Sequence, residues 1–313
     1  MERKTVVVGG TNTDLCGESF LPIVASDSNI GRVTFSAGGV GHNIALNLAL
    51  LGEKVSFITA LGSDVFGEAL KRELSLTLDI SSSLYTPERS DIYLYVASPD
   101  GDMYVAVNDM ENIKRLGPEF INEKKSLIEE ASSVIVEANL NSDTIAEVCR
   151  LSRGLVLADA VSTLKEERLV PSFGHIDVFK PNLLELEYLY KKKIETPGDM
   201  VAAAYFLLDY GLGSVLLTLG KRGSVYISRK KIIYCPAGNG RCVNTTGAGD
   251  SFLAGFAFGM MEWGDEETAI KAATSASEIT VQSEETVSPE MKKETLYKLI
   301  KEKETYEQIP GLF

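Results

Sequence analysis

Histidine and tryptophan are nearly missing from this 313-residue chain, at two and one, and cysteine occurs only four times. Cys16, Cys149, Cys235 and Cys242 are scattered without a C-x-x-C pair, and His42 and His175 complete no metal-ligand spacing with them. No metal site is signalled by this spacing, and the thiols read as structural. Positive charge is also short. Thirty-one Lys and Arg face 44 Asp and Glu, for a net charge of −13 and a pI near 4.8. Such a chain lacks the extended basic face that displaces counterions from nucleic acid or an anionic membrane. A phosphate compound would have to be held by local dipoles, a metal ion or a few basic residues. No segment approaches the roughly 18 uninterrupted apolar residues of a membrane span, and the start "MERKTVVVGG" lacks the pattern of an export signal, so a cytoplasmic protein is expected. No G-x-x-x-x-G-K-[ST] loop occurs, since "LGKRGS" at 219–224 has arginine after its lysine. The dinucleotide fingerprint is absent too: in the glycine loops 37–43 and 245–251, Ile44 and Phe252 stand where a third glycine is needed.

What is present is an ordinary globular composition, 44% hydrophobic and 24% charged. "KTVVVGG" at 4–10 reads as a buried strand ended by glycines. "NIALNLALLG" at 43–52 has helical periodicity and a C-terminal glycine. Then strand "KVSFITALG" and helix "DVFGEALKRELS" are followed by the strands "SVIVEANL", "LVLADAV", "IDVFKPN" and "SVLLTLG", with helical stretches between them. This alternation predicts an α/β fold, a doubly wound, mostly parallel sheet flanked by helices, with ligands at the carboxyl ends of the strands. Residues 91–109 depart from it. Two β-rich runs flank the turn 99–102 and form a hairpin, and residues 15–36, poor in helix signals, supply further strands. These two insertions read as a small β-sheet lid on one domain spanning 1–313, or as a meander with only a packing role. Three helical patterns follow one another from 249 to 305.

"CVNTTGAGDSFLAGFAFG" at 242–259 places Gly247, Ala248 and Gly249 at the start of a helix. Backbone N–H groups left uncovered there, with the helix dipole, make a cradle for an anion. Asp250 falls in the first turn, where it can accept a proton from an incoming hydroxyl, as phosphoryl transfer requires. An Asp that merely caps a buried helix gives the same short pattern.

The rest of the chain resembles the ribokinase-like, or PfkB, family of sugar and nucleoside kinases over essentially its whole length. "AGGVGHNIALNLALLG" at 37–52 is similar to the family's N-terminal glycine signature and "VNTTGAGDSFLAGF" at 243–256 to the C-terminal one. The resemblance implies Asp250 as catalytic base and the amides of Gly247, Ala248 and Gly249 as the anion hole. It implies that Asn12, Asp14 and Asn43, with Gly38 and Gly39, hold the sugar hydroxyls, and it leaves His42 as a pocket wall or a packing residue. "KPNLLELE" at 180–187 is similar to the family's N-x-x-E element, in which Asn182 and Glu185 organise Mg²⁺ and phosphate through water. "LTLGKRGSVY" at 217–226 resembles the nucleotide side, where Thr218, Gly220 and Gly223 would meet ATP together with Thr246. "KAATSASE" at 271–278 either walls the adenine pocket or packs the core. Asn244 stands where relatives carry an aspartate that helps to hold an activating monovalent cation. One negative ligand for K⁺ is therefore missing, and Asn244, Thr246 and the 283–288 turn remain its candidates.

Within the family, "ASDSNIGRVTFSAGGVGHNIALNLALLG" at 25–52, "MYVAVNDME" at 103–111 and "VNTTGAGD" resemble the pseudouridine kinase subgroup. Asn108 and Asp109, at the lid edge, could read a uracil ring or simply end a polar loop. The expected function is ATP- and Mg²⁺-dependent phosphorylation of the 5′-hydroxyl of a ribosyl compound, pseudouridine first. Another nucleoside or ribose is the alternative, and a non-catalytic sugar-binding protein the rival from another class. Small-molecule partners and a homodimer through the lid's exposed edges complete the expectation.

Overall fold

A computed structural model describes residues 3–307; the two ends of the 1–313 unit expected from sequence lie outside them. Fourteen strands are present in chain order: β1 (Thr5–Val8), β2 (Asn12–Ser19), β3 (Gly31–Gly38), β4 (Val55–Ile58), β5 (Ala60–Leu61), β6 (Leu84–Tyr85), β7 (Ile92–Ala97), β8 (Met103–Asp109), β9 (Ser133–Glu137), β10 (Leu155–Asp159), β11 (Val178–Lys180), β12 (Ser214–Thr218), β13 (Ser224–Ser228) and β14 (Ile232–Cys235). The helices are α1 (Val40–Leu50), α2 (Val65–Leu74), α3 (Pro118–Glu123), α4 (Lys125–Glu129), α5 (Ser142–Leu151), α6 (Leu183–Tyr190), α7 (Pro197–Asp209), α8 (Ala248–Trp263), α9 (Glu266–Val281) and α10 (Lys293–Glu302).

The main sheet runs β14-β13-β12-β11-β10-β9-β1-β4. Its first six strands in chain order are parallel, and the short apolar runs that form them are buried on both faces, as helix-covered parallel strands must be. The β13–β14 hairpin closes one edge antiparallel, a feature the sequence reading did not separate from the nucleotide-side turn. Two apolar cores lie on opposite faces of the sheet. In one of them α8 packs against α9 through glycine: a Cβ on Gly255 would stand 2.7 Å from the Ala276 Cβ, and one on Gly259 2.6 Å from the Ala269 Cα. The small residues of 271–278 that face this contact are core packing. α10, the last of the three helical patterns expected between 249 and 305, starts at Lys293.

β1 has β4 on one side and β9 on the other, so the winding direction reverses at β1, and the crevice at its carboxyl end is where such sheets bind ligands. Over that end lies a second sheet, β3-β2-β7-β8. Its hairpin turn carries Gly101 at φ 87, and the Ser98 N–H donates to the Asp102 carbonyl. Asp91 pins the sheet down. It accepts from the N–H groups of Asn112 at 2.7 Å and Ile113 at 2.9 Å, tying the chain that enters the hairpin to the chain that leaves it. Burial pushes its carboxyl up to about 6. The register fixes two faces. Asp14, Ser36, Tyr93 and Asn108 share one; Leu15, Phe35, Leu94 and Val107 share the other, which is apolar and largely open to solvent. Among the described residues no helix is long and apolar enough to cross a membrane.

Candidate active site

The chain leaves β1 through Gly9 and Gly10, and glycine is needed there because α1 starts on top of it. A Cβ on Gly41 would stand 2.7 Å from the Gly9 carbonyl carbon, and the His42 N–H donates 3.2 Å to the Gly10 carbonyl. Gly39, the residue before α1, has φ 103, a region open to glycine. Asn43 is thereby turned inward, and its Nδ2 donates 2.8 Å to Asp250 Oδ2 across 207 residues of chain. That bond joins the two glycine signatures into one site. Asp14 lies in β2, where Asn12 Nδ2 donates 2.5 Å to its Oδ1 and the bare Cα of Gly38 makes room for its other oxygen. His42 is buried, with Nδ1 3.1 Å from Asn43 Oδ1; burial lowers its pKa to about 4, so the ring is neutral at physiological pH.

These residues open on a cleft of about 780 Å³ lined by Asp14, Ser36, His42, Asn43, Tyr93, Tyr95 and Met103, and on its far wall by Asn244, Thr246 and residues 284–287. Asp250 lies one hydrogen bond behind this lining. α8 begins at Gly247, in the left-handed conformation at φ 77, and no side chain among the described residues caps it. Of the three amides expected to cradle an anion, that of Ala248 is engaged at 3.3 Å with the Thr245 carbonyl, which leaves those of Gly247 and Gly249 as the freer donors.

The electrostatics of this pocket are set by burial. Asp250 is pushed up to about 7, chiefly by loss of water and then by the charge of Asp159, against the opposing pull of Lys180 and the Asn43 amide. Glu137 is fully buried at the end of β9 and is pushed up to about 7 by burial, although its oxygens accept from the N–H groups of Gly10 at 2.5 Å and Asn139 at 2.6 Å. Asp14 is raised as well, by burial.

On the nucleotide side, Thr218 bridges Asn182 in parallel register, and its N–H donates 3.2 Å to the Pro181 carbonyl. Gly220 and Gly223 have φ 58 and 99, and a side chain on Gly223 would run into the Cys235 carbonyl. Asn182 and Glu185 form the capping box of α6. Asn182 Oδ1 accepts from the Glu185 N–H at 3.0 Å, and Glu185 Oε2 from the Asn182 N–H at 2.7 Å. One Glu185 oxygen remains to receive a water, and among the described residues no three acidic, histidine or cysteine side chains are grouped so that they could hold a metal ion by themselves. This donor set fits a hydrated Mg²⁺ held mainly by ATP phosphates and does not fit an all-protein cage. Asn244, the candidate cation ligand expected from sequence, is bonded within the surrounding loops. Its Nδ2 donates 3.1 Å to the Glu284 carbonyl, and its Oδ1 accepts from the Thr246 N–H at 2.9 Å.

Two sequence expectations need correction. Asp109 is not brought to the cleft: it pairs with Ile92, on the opposite face of the lid from Tyr93, and lies 3.8 Å from the Arg89 guanidinium. Strand alternation puts neighbours 108 and 109 on different faces, so only Asn108 shares the cleft side, where it is exposed and not part of the lining. The sequence reading missed Glu137, Asp159 and Lys180, each of which ends an apolar strand. "SVIVE", "LVLAD" and "VFK" carry that signal, a charge where a buried run stops at the binding edge of the sheet. It also missed Tyr93 and Tyr95, successive cleft-side positions of β7 with ring centroids 5.7 Å apart.

Comparison with known proteins bears on the family and the fold. The profile of the pfkB family carbohydrate kinases matches residues 2–293. The chain is 30% identical to a pseudouridine kinase of Escherichia coli (strain K12), covering 91% of this chain and 93% of that one. It is 26% identical to a guanosine-inosine kinase of Exiguobacterium acetylicum, covering 92% and 98%. Among solved structures, Arabidopsis thaliana ribokinase complexed with ribose and ATP superimposes with a TM-score of 0.86 at 24% identity, covering 96% and 99%.

Proposed function

The chain belongs to the pfkB family of carbohydrate kinases, and on that premise we propose that it phosphorylates the 5′-hydroxyl of a ribosyl nucleoside, pseudouridine before others. The reaction class is ATP-dependent phosphoryl transfer to an alcohol. One observation carries the nucleoside reading. Asp14, a candidate holder of sugar hydroxyls, is in direct register with Tyr93, and Tyr93 and Tyr95 line the same cleft. A ribose held at Asp14 and Asn43 would project its ring substituent onto two aromatic side chains, a surface that ribose alone leaves unused.

In the proposed mechanism Asp14, Asn12 and the bare backbone at Gly38 and Gly39 orient the sugar, and Asn43 holds Asp250 in place. Asp250 Oδ takes the hydroxyl proton as that oxygen attacks the γ-phosphorus, and the amides at the start of α8 stabilise the charge on the transferring group. Mg²⁺, when bound to the ATP phosphates, neutralises their charge, and Asn182 and Glu185 would hold its water shell. Residues 15–36 and 91–109 would act as the lid of one catalytic unit, keeping water from the cleft. The outer face of that lid, with Val33 77% and Phe35 69% exposed, supports a homodimer formed lid to lid.

ADP release with Mg²⁺, compared across pseudouridine, uridine, guanosine and ribose at equal concentration, tests the assignment. A preference for pseudouridine over uridine is expected. Ribose turned over as well as any nucleoside would remove the reading of Tyr93 and Tyr95 while leaving the family chemistry.

A further inference from the structure

Lys180 has no part in the mechanism above, yet it lies at its centre. It ends β11, is 7% exposed, and its Nζ donates 2.7 Å to Asp159 Oδ2. The other oxygen of Asp159 accepts from the Val161 N–H at 2.8 Å. Val161 is held at φ 62, a region that β-branched residues avoid, so local backbone strain is tolerated where it fixes the Asp159 carboxylate. On its other side the Lys180 ammonium meets α8: a Cβ on Gly249 would stand 3.0 Å from Nζ. Burying an ion pair of this kind is poorly repaid as stability, since an apolar pair of the same volume does as well. An ammonium has three N–H donors, and Asp159 takes one.

We propose that Lys180 is a catalytic residue of phosphoryl transfer, its ammonium completing the anion hole at the start of α8, and that Asp159 is the positioning residue that acts through it. The inference rests on Asp250 as base and the α8 start as anion hole. In the step, the bond from the γ-phosphorus to the bridging oxygen of ATP breaks and its electron pair leaves with ADP. A bond to the acceptor oxygen forms, and the acceptor's proton passes to Asp250. Lys180 exchanges no proton. It supplies a fixed positive charge beside the phosphoryl oxygens, between carboxylates that would otherwise repel them.

The test compares Lys180→Met, Lys180→Arg, Asp159→Asn and the double variant Lys180→Met/Asp159→Asn, using whichever acceptor the wild type turns over best, so that the acceptor's identity does not enter. Lys180→Met is expected to lower kcat roughly 10²- to 10³-fold, the scale of losing one oxyanion donor, with acceptor affinity by calorimetry unchanged and partial rescue in Lys180→Arg. The double variant removes the buried charges as a pair, so that it folds even if Lys180→Met does not, and it should be as slow as Lys180→Met. A double variant that turns over at the wild-type rate overturns the proposal, and so do single losses that add. Activity surviving in Asp250→Asn would instead sink the base assignment, which is a separate result.

Discussion

Asn43→Ala removes one hydrogen bond, the 2.8 Å contact from Nδ2 to Asp250 Oδ2, and the consequence can be worked through. A bond to a charged group is worth about 1.5–3 kcal/mol, and about 1.36 kcal/mol moves a pKa by one, so losing this donor raises the base by roughly one to two pH units. Asp250 already sits at about 7 because of burial. A general base works only when ionised, so the wild-type rate should fall below pH 7 and level off above it. In the variant that limb moves to alkaline pH, and the rate at pH 7 drops roughly five- to fiftyfold while the rate at high pH recovers. The assay is kcat against pH from 5.5 to 10 with acceptor and ATP saturating, so that any loss of sugar binding at Asn43 is confined to KM. A limb that coincides with that of the wild type, or a loss uniform across pH, would refute the argument that Asn43 tunes the base.

The same burial that raises Asp250 makes its ionised form unfavourable in the folded chain. The stability it contributes is complete below the ordinary carboxylate range and is lost as pH rises through about 7. Asp250→Asn should therefore be nearly inactive and melt higher than the wild type, by more at pH 8.5 than at pH 5.5; equal melting curves at both would count against the burial argument. Asn244→Asp should make activity depend more strongly on K⁺ than in the wild type, read by replacing K⁺ with tetramethylammonium, because it replaces an amide that donates to the Glu284 carbonyl by a carboxylate; an unchanged K⁺ response would count against a cation site there. Gly259→Val should cost about 1–3 kcal/mol by forcing α8 from α9, seen as a lower Tm. Phe35→Glu on the outer lid face should leave a monomer by light scattering with the fold intact, and an unchanged mass would rule out dimerisation through that face.

The parallel sheet was legible because its strands are short, β-branched and bounded by glycine, and the helices because their periodicity is clean. The second sheet was legible for the opposite reason, as the stretch where helical periodicity fails. What could not be read was the direction of side chains. "VAVNDM" offers Asn108 and Asp109 as equals, and only the pairing of Tyr93 with Asn108 and of Ile92 with Asp109 separates them. Nor could the N-x-x-E spacing show that Asn182 and Glu185 first serve to close the start of α6, with one carboxylate oxygen left over. Glu137, Asp159 and Lys180 are far apart in sequence and carry no motif. They meet only because three adjacent parallel strands, β9, β10 and β11, end at the same edge.

That edge explains how a chain of net charge −13 can receive a polyphosphate. The crevice is itself rich in acid, with Asp14, Glu137, Asp159, Glu185 and Asp250 gathered where the strands stop. If all were ionised they would repel the substrate. Burial relieves this in part, since it pushes Asp250 and Glu137 up to about 7, well above the ordinary carboxylate range, and so favours their protonated forms. Lys180 offsets Asp159 directly, and Lys165, whose Nζ donates 2.5 Å to Asn139 Oδ1, lies within the field of Glu137. The α8 dipole adds positive potential at a helix start that no side chain among the described residues caps. A base near 7 is also a better proton acceptor than an exposed aspartate, so the burial that lowers stability is what fits Asp250 to its task. Positive charge is needed at only a few atoms, and placing it there by backbone and one clamped lysine leaves the rest of the surface free to be acidic.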